Sequence, residues 1–120
     1  MIEYGLYYPS EIVKKTNGFV SVRQITDLAE KGIVAPIRDT NGAGTPRLYD
    51  DAGVLKIFVA VSLRGILNAK ELIGLFNKKE MNGTICIKIN SYVAIDLNID
   101  AIIKDLSLQE APRPNQRHSF

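Results

Sequence analysis

The sequence has very few of the residues that build metal and redox sites. Its 120 residues include one cysteine, Cys86, and one histidine, His118. A single cysteine excludes a disulfide within the chain, and these two residues are too few to ligate a structural zinc ion. A nucleophile–base pair would require Cys86, in a strand-like pattern, to meet His118 near the C-terminus, and we do not expect one.

Patterns that mark phosphate chemistry or membrane insertion are also missing. The chain has no glycine-rich loop of the dinucleotide-binding or P-loop type. No apolar run reaches the length of a membrane span, and residues 1–4 lack the basic flank of a signal peptide. We therefore expect a cytoplasmic protein that is not an enzyme and that binds no cofactor, no effector ligand and no membrane.

Net charge is small as well, at +2. Strong non-specific binders of nucleic acid are usually more basic, and acids such as Glu11, Asp27, Glu30 and Asp39 match the bases of the N-terminal half. Charge alone does not indicate DNA binding. The chain is 46% hydrophobic and 23% charged, which suits one hydrophobic core, and it is too short for two full domains.

The N-terminal third predicts two short helices joined by a turn. The first spans residues 9–15, and the second starts after Ser21 and is closed by Gly32. Ser21 and Gln24 form a capping-box pattern. Helical spacing puts four apolar residues on one face, namely Val22, Ile25, Leu28 and Ala29. The residues that then project outward, as a binding surface or as an ordinary solvated face, are Arg23, Gln24, Thr26, Asp27 and Glu30.

A hairpin is predicted next, with two short strands around a glycine-containing loop at residues 39–45. Arg38 and Arg47 bracket this loop. Their guanidinium groups suit phosphate oxygens, although an ordinary surface hairpin would leave them in water.

The order of these segments resembles the MerR family of DNA-binding regulators over residues of about 8–76. The resemblance starts with the short helix over residues 9–15 and the turn over 16–20. It continues with the helix exit Gly32-Ile33-Val34-Ala35-Pro36, the closing Arg47-Leu48-Tyr49, the long apolar helix over residues 50–64, and the turn and helix that follow at residues 65–72. It implies a winged helix-turn-helix that binds double-stranded DNA. The implied DNA-contacting residues, together with the outward-facing ones, are Ser21, Arg23, Gln24, Thr26, Asp27, Lys31, Arg38, Arg47 and Tyr49.

The sequence departs from the family in the middle of the second helix. Where the family usually has Leu-Arg-Tyr-Tyr, this chain has Ile25-Thr26-Asp27-Leu28. Asp27 would repel phosphate oxygens, but a carboxylate can accept a hydrogen bond from the amino group of cytosine. Two alternative functions therefore stand beside a transcription regulator. One is a winged-helix protein interaction module, and the other is an architectural or recombination accessory factor.

Two further helices follow the hairpin. Asp50 and Asp51 are suitable caps for an unusually apolar helix, which we expect to form the core, although it could also serve a subunit contact. Asn68 with Glu71 indicates the start of the next helix.

Beyond residue 79 the sequence leaves the family pattern and predicts a β-hairpin with a three-residue loop at residues 90–92. Its register pairs Ile85 with Leu97 and Ile87 with Ile95, because this pairing alone keeps the apolar residues on one face. Asp100 would start a short helix. We expect the ribbon to pack on its own chain or to mediate a homodimer through its apolar face, which comprises Ile85, Ile87, Ile89, Val93, Ile95 and Leu97.

The predicted fold is therefore mainly α with small β elements: a winged helix-turn-helix followed by a C-terminal hairpin and helix. The predicted division is a DNA-binding domain over residues 1–79, a docking or dimerisation segment over 80–108, and a flexible tail over 109–120.

Overall fold

The amphipathic segments form five helices and two antiparallel strand pairs in a computed structural model that describes residues 6–38, 47–78 and 81–108. Within these ranges the result is a small, compact α/β protein. The order is β1 (Leu6–Tyr7), α1 (Pro9–Lys15), α2 (Val22–Glu30), β2 (Tyr49–Asp50), α3 (Asp51–Ser62), α4 (Ala69–Lys78), β3 (Thr84–Lys88), β4 (Ala94–Asn98) and α5 (Ile99–Asp105).

A buried threonine connects α1 to α2. The Thr16 hydroxyl donates to the carbonyl of Ile12 at 3.0 Å and accepts from the N–H of Val20 at 3.3 Å. Between them, Asn17 and Gly18 adopt positive φ angles of 54° and 79°, which reverse the chain within a few residues. The hydrogen bonds of Thr16 and the positive φ angles of Asn17 and Gly18 therefore form the turn, and this turn sets the position at which α2 begins.

The predicted cap of α2 is confirmed. The N–H of Gln24 donates to the Ser21 hydroxyl at 3.1 Å, and the N–H of Ser21 donates to the Gln24 side-chain oxygen at 2.9 Å. Ile25 and Leu28 are buried as expected, but Val22 is 48% exposed. Helical periodicity predicts the buried face of α2 correctly, but it does not indicate how far along the helix that face is covered. Val22 is the first residue of α2, and its side chain lies beyond the covered part.

The prediction that α3 forms the core is confirmed. Asp50 caps it by accepting from the N–H of Gly53 at 2.8 Å. Seven of its twelve residues are buried: Gly53, Val54, Leu55, Ile57, Val59, Ala60 and Val61. The cap predicted for α4 also forms, since Asn68 and Glu71 exchange hydrogen bonds of 2.8 and 2.9 Å.

Only the base of the predicted hairpin before α3 lies within the described residues. Arg38 and Leu48 form a single antiparallel bridge, and the N–H of Ile37 donates to the carbonyl of Leu48 at 2.8 Å. The next residues, Tyr49–Asp50, pair with the N-terminal strand Leu6–Tyr7. The predicted loop at residues 39–45 and the predicted tail at 109–120 lie outside the described residues.

The C-terminal hairpin has the predicted register. Ile85 pairs with Leu97 and Ile87 with Ile95. The Asn90 side chain holds the loop by accepting from the N–H groups of Tyr92 and Val93, at 2.7 and 2.9 Å. Ile85, Ile87 and Leu97 are buried and belong to the same core cluster as α3.

The start of α5 differs from the prediction. Asn98 caps the helix by accepting from the N–H of Ala101 at 3.0 Å, and the helix begins at Ile99. Asp100 instead accepts from the N–H of Gly83 at 2.8 Å, which joins α5 to the segment that enters β3. Asn and Asp side chains both accept hydrogen bonds from backbone N–H groups, so the sequence pattern could not tell which of Asn98 and Asp100 caps the helix.

A tyrosine–aspartate contact joins the N-terminal strand to the core helix. The Tyr7 hydroxyl donates to Asp51 Oδ1 at 2.7 Å, and the Lys15 ammonium lies 5.1 Å from the centre of the Tyr7 ring. Burial, and next the hydrogen bond to Asp51, raise the pKa of Tyr7 from 10.0 to about 12. The neutral phenol is therefore the form that the fold favours.

Replacing this phenol tests its contribution. Tyr7→Phe removes the hydrogen bond and should lower the free energy of unfolding by about 1 kcal/mol, measured by urea titration at neutral pH. Because the folded pKa lies above the unfolded one, the contribution is complete below pH 10 and is lost as the pH rises towards about 12. Tyr7→Phe should therefore lose less stability than the wild type over this interval. Tyr92→Phe is the control, since Tyr92 is 94% exposed, and an equal effect of both variants would contradict the assignment.

Candidate nucleic-acid interface

The polar face of α2 carries a stripe of exposed charges. Arg23, Asp27 and Lys31 follow one another at intervals of four residues, so they lie on one side of the helix and its C-cap. Asp27 and Lys31 form an ion pair at 3.1 Å, with more than half of each side chain exposed. Such a pair contributes little stability, but it neutralises much of the field of Lys31. Arg23 is therefore the stronger positive centre on this stripe.

Two of the predicted contact residues also build the helix. Ser21 is exposed and Gln24 is half-buried, and their side chains are engaged in the capping box. Thr26 is half-buried on the same helix. A partner that binds α2 would contact the Arg23 side chain directly. The side-chain oxygens of Ser21 and Gln24 each already accept one hydrogen bond, so they could bind a partner only through their remaining lone pairs.

A substitution series at Ser21 separates these two roles. Ser21→Ala removes the acceptor for the N–H of Gln24 and should cost about 1 kcal/mol of unfolding free energy, whereas Ser21→Asp should retain most of the stability. The measurement is urea unfolding followed by helical circular dichroism. Ser91→Ala, at an exposed loop position, is the control. A Ser21→Ala protein as stable as the control would show that the cap is dispensable.

The predicted residues of the hairpin fall into two groups. Arg38 is exposed and Arg47 is half-buried, at the base that the Arg38–Leu48 bridge closes. Tyr49 was predicted to contact DNA, but its side chain is fully buried in the core cluster. The prediction for Tyr49 is therefore wrong. A strand of two residues has no alternating pattern from which to tell the inward face from the outward one.

A cleft of about 860 Å³ lies between α2 and the corner that joins α3 to α4. It brings together six residues of the predicted contact set: Ser21, Arg23, Gln24, Thr26, Asp27 and Lys31. Arg38, Arg47 and Tyr49 are not among its lining residues. The predicted set therefore divides into one group around the cleft and another at or beneath the hairpin base.

Sequence reasoning missed the far wall of this cleft. Arg64, Leu67, Asn68 and Ala69 line it from the α3–α4 corner. The corner is short because Gly65 adopts a φ of 85°, and the bridge between Arg64 and Leu67 closes it. The sequence does contain a signal for this wall. Arg64 follows the mainly apolar helix α3 and is followed by Gly65 and by the helix cap Asn68.

Arg23 and Arg64 are the cations of this cleft that have no carboxylate within 4 Å among the described residues. Both are exposed at the surface of the cleft. The rim carries three cations, Arg23, Lys31 and Arg64, against the acids Asp27 and Glu30. The local charge is therefore modestly positive, which suits an anion more than a cation.

Evidence for other kinds of site is sparse in the described residues. No group of three or more potential metal ligands occurs among them, and none of the helices there is long and apolar enough to cross a membrane. Cys86 is exposed on the outer face of β3, and His118 lies outside the described residues.

Comparison with known proteins identified no relatives: no family model, no curated protein and no solved structure matched this chain. The functional assignment therefore depends on the geometry of the site and on the resemblance in sequence order.

Proposed function

We propose that this chain is a DNA-binding transcription regulator that uses a MerR-like winged helix-turn-helix. The observation that carries the proposal is the order of its elements. A capped helix with an exposed charged stripe follows a short helix and a tight turn, and it precedes the base of the predicted hairpin, where Arg38 and Arg47 lie. This order is typical of proteins that place a helix in the major groove and a ribbon beside it.

In this proposal α2 is the recognition helix. Arg23 projects from its first turn, where recognition helices commonly contact base edges, and a guanidinium can bond to both O6 and N7 of guanine. Arg38 and Arg47 neutralise phosphates on either side of the hairpin and set the register on the duplex. The Asp27–Lys31 pair keeps the outer face of α2 close to neutral, which limits non-specific attraction.

A chain with a net charge of only +2 gains little affinity for DNA from charge alone. Two linked protomers that bind two half-sites would supply the missing affinity through effective concentration. We therefore include a homodimer in the proposal, and the remaining exposed end of the C-terminal ribbon is its interface. Ile89 and Val93 are 37% and 49% exposed and Tyr92 is 94% exposed. Ile85, Ile87 and Leu97, which we expected at this interface, are buried within their own chain, and Ile95 is half-buried. The interface is thus smaller than the sequence pattern indicated.

Alanine variants test the DNA contacts after a binding site has been selected from random duplexes. Arg47→Ala should weaken binding to all sequences similarly and lower the slope of log K against log salt by about one unit for each phosphate that is no longer neutralised. Arg23→Ala should instead cost about 1 to 3 kcal/mol at the selected site and little elsewhere. Electrophoretic titration at two salt concentrations measures both effects.

Lys104→Ala, on α5, is the matched control because it removes an exposed positive charge away from α2 and the hairpin. The proposal fails if the wild type binds no duplex at low salt. It also fails if folded Arg23→Ala and Arg47→Ala bind as the control does.

Self-association has its own test. Replacing Ile89 and Val93 together by lysine should yield folded monomers, because both side chains are exposed and like charges would repel across a two-fold axis. Ile87→Lys should instead unfold the protein, since Ile87 is only 9% exposed. Sedimentation velocity with circular dichroism distinguishes the two. A wild type that stays monomeric at high micromolar concentration would exclude the dimer.

One observation favours the protein interaction module as a second candidate. Phe19 is 49% exposed and its ring packs against that of Phe58, with the ring centres 5.0 Å apart and the planes tilted by 46°, and Val22 nearby in the chain is also exposed. Exposed aromatic residues of this kind suit a protein partner better than a phosphate backbone. This candidate becomes the leading one if the duplex titration is negative.

A further inference from the structure

The cleft between α2 and the α3–α4 corner has an apolar floor. Leu28 and Ile33 contribute from α2 and its exit, Val61 from the end of α3, and Leu67 and Leu72 from the corner and α4. All are buried or half-buried. A phosphate backbone gains nothing from such a surface, so DNA contacts account for the rim of the cleft and leave the floor unexplained.

The size of the cleft points to a small ligand. Its volume of about 860 Å³ falls within the range of roughly 300–1,000 Å³ that is usual for small-molecule sites. Such sites combine a mainly apolar lining with a few polar groups that orient the ligand. This cleft has both features, because charged and amide side chains surround its floor.

The cations of the rim determine the charge of that ligand. Lys31 is already paired with Asp27, whereas Arg64 has no carboxylate within 4 Å among the described residues. Arg64 also lies on the wall opposite the two acids of the rim, Asp27 and Glu30, which both belong to α2. Its backbone is held by a hydrogen bond to Val61 and by the bridge to Leu67, and its side chain lines the cleft. A planar guanidinium of this kind binds a carboxylate through two hydrogen bonds.

We infer that this cleft binds an amphipathic organic acid, in which an aromatic or branched apolar body lies on the Leu28–Val61–Leu72 floor and one carboxylate bonds to Arg64. The inference contradicts the expectation from sequence that no effector ligand binds. Sequence spacing could not place Leu28, Val61 and Leu72 around one space.

Occupancy of the cleft has a regulatory consequence that rests on the proposed function. Arg23 lines the same cleft and is the proposed base-reading residue, so a ligand there obstructs the approach of α2 to DNA. Ligand and duplex then compete, and by linkage each lowers the affinity of the other by the same factor.

Titration with 2-naphthoate, a rigid aromatic carboxylate, tests the site without DNA. We expect saturable amide shifts in nuclear magnetic resonance spectra at α2 and the α3–α4 corner, and none in α5. Arg64→Gln should weaken 2-naphthoate binding about tenfold, because the substitution removes one charge-assisted interaction. The uncharged analogue 2-naphthamide should bind the wild type and Arg64→Gln equally.

Two further variants complete the test. Ala69→Phe fills the cleft from the first residue of α4 and should abolish binding of both compounds. Lys70→Gln removes an adjacent exposed charge outside the cleft lining and should leave both affinities within about twofold. Each variant is first checked for a folded spectrum.

The results separate the site from the proposed function. Absence of saturable binding, shifts outside the cleft, or equal affinities for Arg64→Gln and Lys70→Gln would overturn the inference and leave the cleft to a protein partner or to no partner. If 2-naphthoate binds as expected but no duplex does, the site stands and the proposed function fails. If both bind and 2-naphthoate does not lower the affinity for DNA, the competition is wrong while the site remains.

Discussion

The burial of α3 is the constraint on which the rest of the structure depends. A helix with seven of twelve residues buried exposes almost no side to water, so other elements must cover it. The helix α2 and the strands β1 and β2 contact it directly, and the buried faces of α1, α4 and the C-terminal ribbon join the same core cluster. The charged stripe of α2 faces outward because its opposite face, Ile25 and Leu28, belongs to this core.

Local hydrogen bonds then decide where each element starts. Ser21, Asp50, Asn68 and Asn98 each satisfy an N–H group in the first turn of a helix. Positive φ angles at Gly32 and Gly65 end or redirect the chain shortly after α2 and α3. Between these two exits, α2 lies along one wall of the cleft from Ser21 to Lys31, and the corner between α3 and α4 forms the opposite wall. The capping residues Ser21 and Asn68 contribute to the polar rim of the cleft, and core residues such as Leu28 and Leu72 form its apolar floor.

The elements that could be predicted from sequence are those with a repeated or paired signal. Capping boxes, the apolar run of α3 and the alternation in the C-terminal ribbon each contain several residues that agree, so their positions were predicted correctly. Predictions that depended on one residue did less well. Tyr49 is buried where an exposed contact was expected, Val22 is exposed at the helix start, and Asp100 anchors a neighbouring segment where it was expected to begin α5. The cleft was not foreseen, because it joins residues up to 51 positions apart that share no sequence pattern.

The pairing of β1 with β2 has a consequence for the order in which the fold forms and opens. Tyr7 and Asp51 are 44 positions apart, whereas the ribbon and α5 join residues that are close in sequence. Closing the longer loop costs more chain entropy, and β1 contributes only two residues of pairing to offset it. The C-terminal ribbon can therefore assemble early, while the N-terminal strand docks late and is the first of the described strands to detach. Detachment would uncover one side of Tyr49 and loosen the base of the hairpin without unfolding α3.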